Sequence, residues 1–420
     1  MLKIKKGLLI ISICTLFSSS FLQAEERVPE VEMTHWWNQP GEIQALGEIE
    51  KAVKARGAAF VETRIASWDA LRTNILKRIS LGYAPAVTQW LSDDYIFSFD
   101  QMSAIYKTPA LWRYTPIDEV LFDEVYEGLR TEEGLVGLPV GIHTQNSALF
   151  SKEIYEELGF DIPQTWAEVL EQAPKIRSAG YVPVALSHEE WQLQILLNSI
   201  LLGNLGASDY KQFYMAGQSI KPWRTQLVQS FEILLALKRY SDEGAKTRNW
   251  SEAVNMVGDN KAAMHFLGDF AKSELTSKGL VAGEDFLCSL APSSKGHMVY
   301  VIDSFLMFNS DDPHIKKGQE ILIDTVLDPE VQAKFNSKKG GIPVRHGVDV
   351  ELLDVCARKI YQQWIGPDPK TVSFTGIGNP LRALYIQMVL KKAWSDENAS
   401  AEMLVDELIK IDQEGLSKAN

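Results

Sequence analysis

The chain has 420 residues, 45% hydrophobic and 23% charged, a composition of soluble globular proteins with material for two or three domains. Its formal net charge is -13; without the first 24 residues, 39 basic side chains face 55 acidic ones. That balance argues against nucleic acid and anionic membrane as partners, and seven His with three Cys offer no dense metal cluster.

The N-terminus reads as a secretory leader over residues 1–24: Lys3, Lys5 and Lys6, an apolar run from Gly7 to Phe17, then Leu22-Gln23-Ala24 as a small-residue cleavage site. The apolar run is short for a span of ~20 residues, so no stable membrane anchor is expected. Cys14 lies inside the leader, which leaves Cys288 and Cys356 as an even pair. In an oxidising compartment a disulfide is the expectation, with two buried free thiols as the alternative.

Val31–Thr34 is strand-like, and a helical pattern follows with Ile43, Leu46, Ile49 and Val53 on one side. Between them stand Trp36, Trp37 and Glu42. Successive side chains of an extended segment face opposite ways, so at least one indole is expected to be exposed or to line a cleft. A flat indole suits the C–H face of a sugar and a carboxylate suits its hydroxyls; ordinary packing is the competing reading. Phe60–Ile65 and Pro85–Trp90 read as strands around a helix at Trp68–Leu81. The alternation predicts an α/β fold, a sheet covered by helices. Leu135–Gly141, punctuated by glycine and proline, suggests a crossing to a second lobe.

Ala148–Phe150 opens a second α/β series. Ser151 caps a helix ended by Gly159, and Thr165-Trp166-Ala167-Glu168 is a capping box before a helix that runs towards Gly180. Tyr181–Leu186 is the next strand, and Leu193–Leu202 and Leu227–Leu237 add helices. Val299–Phe308, centred on Asp303 and Ser304, is an extended apolar run suited to recrossing. Lys338–Arg345 reads as a hinge-like loop, and the tail from Leu381 as helices. Internal repeats and low-complexity tracts are absent.

Chemistry-bearing motifs are few. There is no His-Glu-x-x-His, Gly-x-Ser-x-Gly, glycine-rich phosphate loop or metal-spaced Cys pair. Asp311-Asp312-Pro313-His314 lacks the alternating oxygen ligands of a calcium loop and reads as a solvated turn. A glycosidase would need two carboxyls flanking one bond; Glu42 and Asp303 are candidates, but in so acidic a chain any pair can be selected.

Five motifs occur in order: Trp-Trp-x-x-x-Gly-Glu at 36–42, Leu-Pro-Val-x-Ile-His-x-x-Asn at 138–146, Gly-Asp-Phe-Ala-Lys-Ser-Glu at 268–274, Ile-Asp-Ser at 302–304 and Lys-Gly-Gly-Ile-Pro-Val-Arg at 339–345. Together they resemble the family 1 extracellular solute-binding proteins of carbohydrate ABC transporters, and among those the periplasmic glucose/mannose-binding group. The similarity runs from Glu32 to the C-terminal helices. It implies a two-lobed periplasmic-binding-protein fold of type II, with hinge strands and an inter-lobe ligand cleft. The lobes are expected at 25–140 with about 304–345, and at 141–303 with about 346–420, the second being helix-rich.

The resemblance implies a monomeric, non-enzymatic, periplasmic protein without cofactor or metal, whose partners are a sugar and an inner-membrane ABC permease; chemotaxis or sensor partners would use the same closure. Residue by residue, it places Trp36 and Trp37 on the pyranose, with Glu42, Asp303 and Lys339 on its hydroxyls. Trp250 matches a cleft Trp, Phe270 sits where a second one is usual, and Gln89 matches a polar contact. His143, beside the crossing strand, is either a ligand contact or a structural His. Family disulfides match Cys288 and Cys356. The chain departs from the glucose group at Trp90-Leu91, where a basic or polar side chain is usual, at Phe270, and near Gly376, where a sugar-contacting His is usual. A changed hydroxyl pattern, and so a sugar other than glucose, is the expectation.

Overall fold

The computed structural model describes residues 27–419 apart from 93, 103, 216 and 374–379. The leader and Gly376 therefore lie outside the described residues. Strand β1 (Glu30–His35) buries Val31 and Met33 and runs parallel to β2 (Ala59–Arg64) and β3 (Val87–Leu91). Helix α1 (Pro40–Ala55) joins β1 to β2. It opens with Pro40 and a Gln39/Glu42 capping box, and buries Ala45, Leu46, Ile49 and Val53. Helix α2 (Trp68–Ser80) is capped by Ser67, which accepts from the Ala70 N–H, and buries Leu71 and Ile75. After short helices and hairpins comes β4 (Leu138–Thr144), buried throughout.

The second lobe starts with β5 (Ser147–Ser151), α3 (Lys152–Leu158), α4 (Trp166–Ser178), β6 (Val182–Val184), α5 (Glu190–Tyr214) and α6 (Arg224–Arg239). It continues through α7 (Trp250–Gly258), β7 (Ala262–Leu267), α8 (Lys272–Ser277) and β8 (Phe286–Leu290). Its sheet order is β6-β7-β5-β8. Side-chain alternation on β5 serves two cores: Ala148 and Phe150 pack with Trp166, Phe231 and Phe266, while Leu149 packs on the other face with Val254, Leu275 and Phe286.

The chain returns through β9 (Met298–Met307), then α9 (Pro313–Val326) and α10 (Pro329–Lys339). Strand β9 is antiparallel to β3 on one edge and β4 on the other, so Asp303 faces Leu91 and Gly141 at once. Helix α11 (Val355–Ile365), strand β10 (Lys370–Val372), which pairs with the start of β9, and helices α12 (Pro380–Ser395) and α13 (Ala401–Ala419) finish the described fold. The architecture is the type II periplasmic-binding-protein fold.

Three placements differ from the sequence expectation. The crossing lies beyond Leu135–Gly141, at Gln145 and Asn146, because Val140 and Ile142 belong to the first core. There Asn146 donates to Ser294 Oγ and the His297 carbonyl, each at 2.9 Å, and accepts from the Val299 N–H at 2.8 Å, tying the two crossing strands together. The loop after Lys339 does not cross: Ile342 exchanges backbone bonds with Ile142, and both Ile342 and Val344 pack in the first core. Helix α11 also packs there through Ala357, Ile360, Tyr361 and Trp364, while Ile386 to Ile409 of α12 and α13 join the second lobe. Amphipathic spacing tells that one face of α11 is buried, but not against which lobe.

Candidate functional site

In an open parallel sheet, loops after the strand C-termini line the ligand crevice. Here the loop after β1 carries Trp36 and Trp37, the one after β2 leads into Trp68, and Gln89 lies near the end of β3. Trp36 is half-buried, its backbone N–H donating to Gln89 Oε1 at 3.3 Å, with its ring 4.8 Å from Trp68 in an edge contact. Trp68 in turn meets Trp90 at 4.5 Å; Trp90 is fully buried in the first core, and Leu91 is half-buried. Trp37 is only 1% exposed, packed between Phe305 and Phe335. Strand β1 ends at His35, whose Nδ1 accepts the Trp37 N–H at 3.1 Å, and beyond it both indoles reach one core.

Three charged groups, Glu42, Asp303 and Lys339, meet beside Trp37. Glu42 Oε2 accepts the backbone N–H groups of Asn38 and Gln39, at 3.1 and 3.2 Å, completing the cap of α1. Its other oxygen lies 3.6 Å from Lys339 Nζ. Burial pushes the Glu42 carboxyl up from its ordinary value, against the pull of Lys339. Asp303 is aimed by a bulge in the β4–β9 pairing, and its Oδ2 lies 3.8 Å from Lys339 Nζ and 3.3 Å from His143 Nε2. Both Asp303 and Lys339 are 3% exposed. Lys339 ends α10 with its ammonium 5.3 Å from the Trp37 ring centre and 5.4 Å from that of Phe270.

His143 bridges the lobes. Its Nδ1 pairs with Asp269 Oδ1 at 2.7 Å, and Asp269 Oδ2 accepts the Thr144 N–H at 2.9 Å. Burial and the Lys339 charge disfavour its protonated form, but Asp269 and Asp303 outweigh them and hold its pKa above the ordinary value.

The facing wall is aromatic. Trp191, Trp250 and Phe270 form a triangle with ring centres 5.6 to 6.3 Å apart. Glu189 holds two corners, accepting from Trp191 Nε1 and the Trp250 N–H. At the rim, α1 meets α8: the Gly41 N–H donates to Glu274 Oε1 at 3.1 Å, and Ser251 Oγ donates to Glu274 Oε2 at 2.7 Å. A Cβ at Gly41 would lie 2.5 Å from Ser273 Oγ and 2.6 Å from its backbone, so these lobes are closed on one another.

Gln89 Nε2 and Ser273 Oγ are buried with no hydrogen-bond partner, and His143 Nε2 has only the 3.3 Å approach to Asp303 Oδ2. Lys339 and Asp303 approach each other without a direct bond. A hydroxyl donates and accepts at once, so one such group on a ligand satisfies both. The structure brings together Trp37, Glu42, His143, Asp303, Lys339, Phe270 and Trp250 at the lobe junction, while Trp36 and Gln89 sit beside one another on the first lobe, with Trp36 against Trp68. Sequence reasoning missed Trp68, Trp191, Asp269 and Glu274; Trp68 begins a helix that follows a strand and Trp191 lies in the first turn of another, a signal available from the element order. The Cys288–Cys356 disulfide is formed, with Cα atoms 6.1 Å apart, and joins β8 to α11.

Among the described residues no His, Cys, Asp or Glu group is placed to hold a metal, and no helix is long and apolar enough to cross a membrane. A chitin oligosaccharide binding protein superposes with a TM-score of 0.77 over 92% of this chain and 99% of that one, at 16% identity. A protein solved in work on xylan utilization by Caldanaerobius polysaccharolyticus gives 0.76 over 91% and 99%, at 14%. These likenesses are of fold. In sequence, a probable sugar-binding periplasmic protein of Mesorhizobium japonicum is 29% identical over 363 residues, 85% of each chain. One of Rhizobium meliloti is 26% identical over 338 residues, 80% of this chain and 81% of that one. The family model for bacterial extracellular solute-binding proteins matches residues 59–333, and the chain belongs to that non-catalytic, solute-binding family.

Proposed function

We propose that the protein is the periplasmic sugar-binding subunit of an ABC importer, exported with loss of residues 1–24 and delivering its ligand to an inner-membrane permease. The observation that carries this reading is the buried set of Lys339 and Asp303, close but without a direct bond, with Glu42 and His143 around them, flanked by indole and phenyl rings, while Gln89 Nε2 is buried without a partner. Buried polar groups without partners are penalised by roughly 1–3 kcal/mol each; a polyhydroxylated ring with apolar faces removes that penalty. The names of the sequence relatives support a sugar.

The ligand is a monosaccharide or short oligosaccharide. It engages the Lys339, Asp303 and Glu42 side chains of the first lobe and the aromatic triangle of the second, and those contacts coexist only in the closed form. Differential affinity then shifts the population towards closure. Leu91 and Phe270 in place of polar and indole partners favour a sugar other than glucose.

The experiment is a thermal-shift and calorimetric screen of the mature chain against glucose, mannose, galactose, xylose, maltose and cellobiose. A ligand at about 100 times its dissociation constant adds ~2.7 kcal/mol of stability. One clear responder, with loss of its binding in Asp303→Ala, is the expected result. No responder among these and longer oligosaccharides overturns the reading.

A further inference from the structure

The turn Gly268–Lys272 has two sides. Phe270 faces Lys339 in the cleft, whereas Asp269 and Lys272 line a separate cavity of about 440 Å³. Its walls come from both lobes: β5 and the end of β8 with the loop at 291–296 on one side, α11 and Gly340 on the other, with the Cys288–Cys356 bridge between them. Leu149, Leu290 and Ile360 give it an apolar lining.

Its charge is opposite to that of the chain. Three lysines, Lys272, Lys295 and Lys359, line it with the carboxylate of Asp269; Lys272 is ion-paired with Asp354, so the uncompensated positive charge is that of Lys295 and Lys359, in a protein of net charge -13. Asp269 is already engaged through both oxygens. Lys272 is 2% exposed, and its ammonium makes one hydrogen bond among the described residues, to Asp354 Oδ2 at 2.6 Å, leaving two N–H donors in a buried position. Lys295 and Lys359 stand exposed, without an ion pair among the described residues. Ser293 and Lys295 adopt φ values of 63° and 50°, which non-glycine residues hold only under constraint. The constraint is visible: the Ser293 N–H donates to the Gln164 carbonyl at 2.8 Å, and Ser294 Oγ accepts from Asn146. An apolar chamber with surplus buried donors and a basic mouth suits an anion with a carbon body.

We propose that this cavity is a second binding site, distinct from the cleft, for a small organic anion whose charged group meets Lys272 and whose body lies on Leu149, Leu290 and Ile360. The test is calorimetry on the mature chain with 2-naphthoate, 2-naphthyl phosphate and the neutral 2-naphthamide. At least one anion is expected to bind ten times or more tighter than the amide, the better of the two identifying the headgroup. Lys272→Met should weaken it about tenfold, and Lys359→Glu, an exposed position that folding does not need, severalfold. Equal binding of the amide, no binding of either anion at millimolar concentration, or wild-type affinity in Lys359→Glu overturns the proposal. So does loss of binding in Trp250→Ala, which would place the probe in the cleft. None of these outcomes depends on the sugar screen.

Discussion

On the first lobe the cleft is faced by Glu42, Gln89, Asp303 and Lys339, each fixed to an element of one continuous core. On the second it is faced by Trp191, Trp250 and Phe270, held by Glu189 and by one another. The first wall is directional: its bonds have lengths and angles, and its buried charges penalise a ligand that leaves them unmatched. The second offers area and ring faces, which tolerate sliding. We read the first wall as the one that selects and the second as the one whose arrival on closure adds affinity.

Removing a charge from the selective wall should have the largest effect. Asp303→Ala removes a buried carboxylate that a ligand hydroxyl would reach, and losing one charged hydrogen bond costs roughly 1.5–3 kcal/mol, about ten- to 100-fold in affinity by calorimetry. Asp303→Asn should instead reorder preferences among sugars differing at one hydroxyl. Unchanged ranking in that variant would break the division of labour between walls. Closure itself is probed by Gly41→Ala, whose Cβ meets Ser273 only when the lobes are shut. Affinity should fall about tenfold while the melting temperature of the unliganded protein holds. On the aromatic wall, Phe270→Ala should weaken all ligands by about fivefold without reordering them. A reordering would show that this wall also selects.

The smallest effect concerns pH. His143 has a raised pKa in the folded chain, so the stability from its charged form is complete below the ordinary 6.5 and is lost as pH rises through the raised value. His265, which burial holds down at about 4, works the other way: its contribution is present above 6.5 and lost as pH falls. Melting curves from neutral to alkaline pH should therefore decline in the wild type and flatten in His143→Gln. An equal decline in both would remove His143 from the account.

Much of the fold was legible because local rules act through neighbours. The Thr165/Glu168 capping box, the Ser151 cap and left-handed Gly159 bound their helices as their residues require. What was not legible depends on distant partners. The adjacency of Trp36 and Trp37 implies opposed faces only within a strand, and β1 ends at His35, before both. The side chains near Lys339 come from positions 42, 143 and 303, and no periodicity links those numbers; Glu42 was suggested by its place after a strand, the motif resemblance joined it to Asp303, Lys339 and His143, and Asp269 and Trp191 were not among its contacts. The cavity beside the disulfide has no sequence signature, since its walls are parts of two lobes.

The position of β9 has a consequence for how the chain folds. It is an inner strand of the first sheet, between β3 and β4, yet its residues follow those of the entire second sheet. Until about 300 residues are available, β3 and β4 present unpaired edges, and the N-terminal lobe has no route to completion by itself. Synthesis order and assembly order are thus interleaved: the lobe that begins first is completed only after the second sheet has been made, and α12 and α13 then complete the second lobe. A nascent chain of this design keeps strand edges unpaired through most of its synthesis, which exposes it to aggregation for that interval.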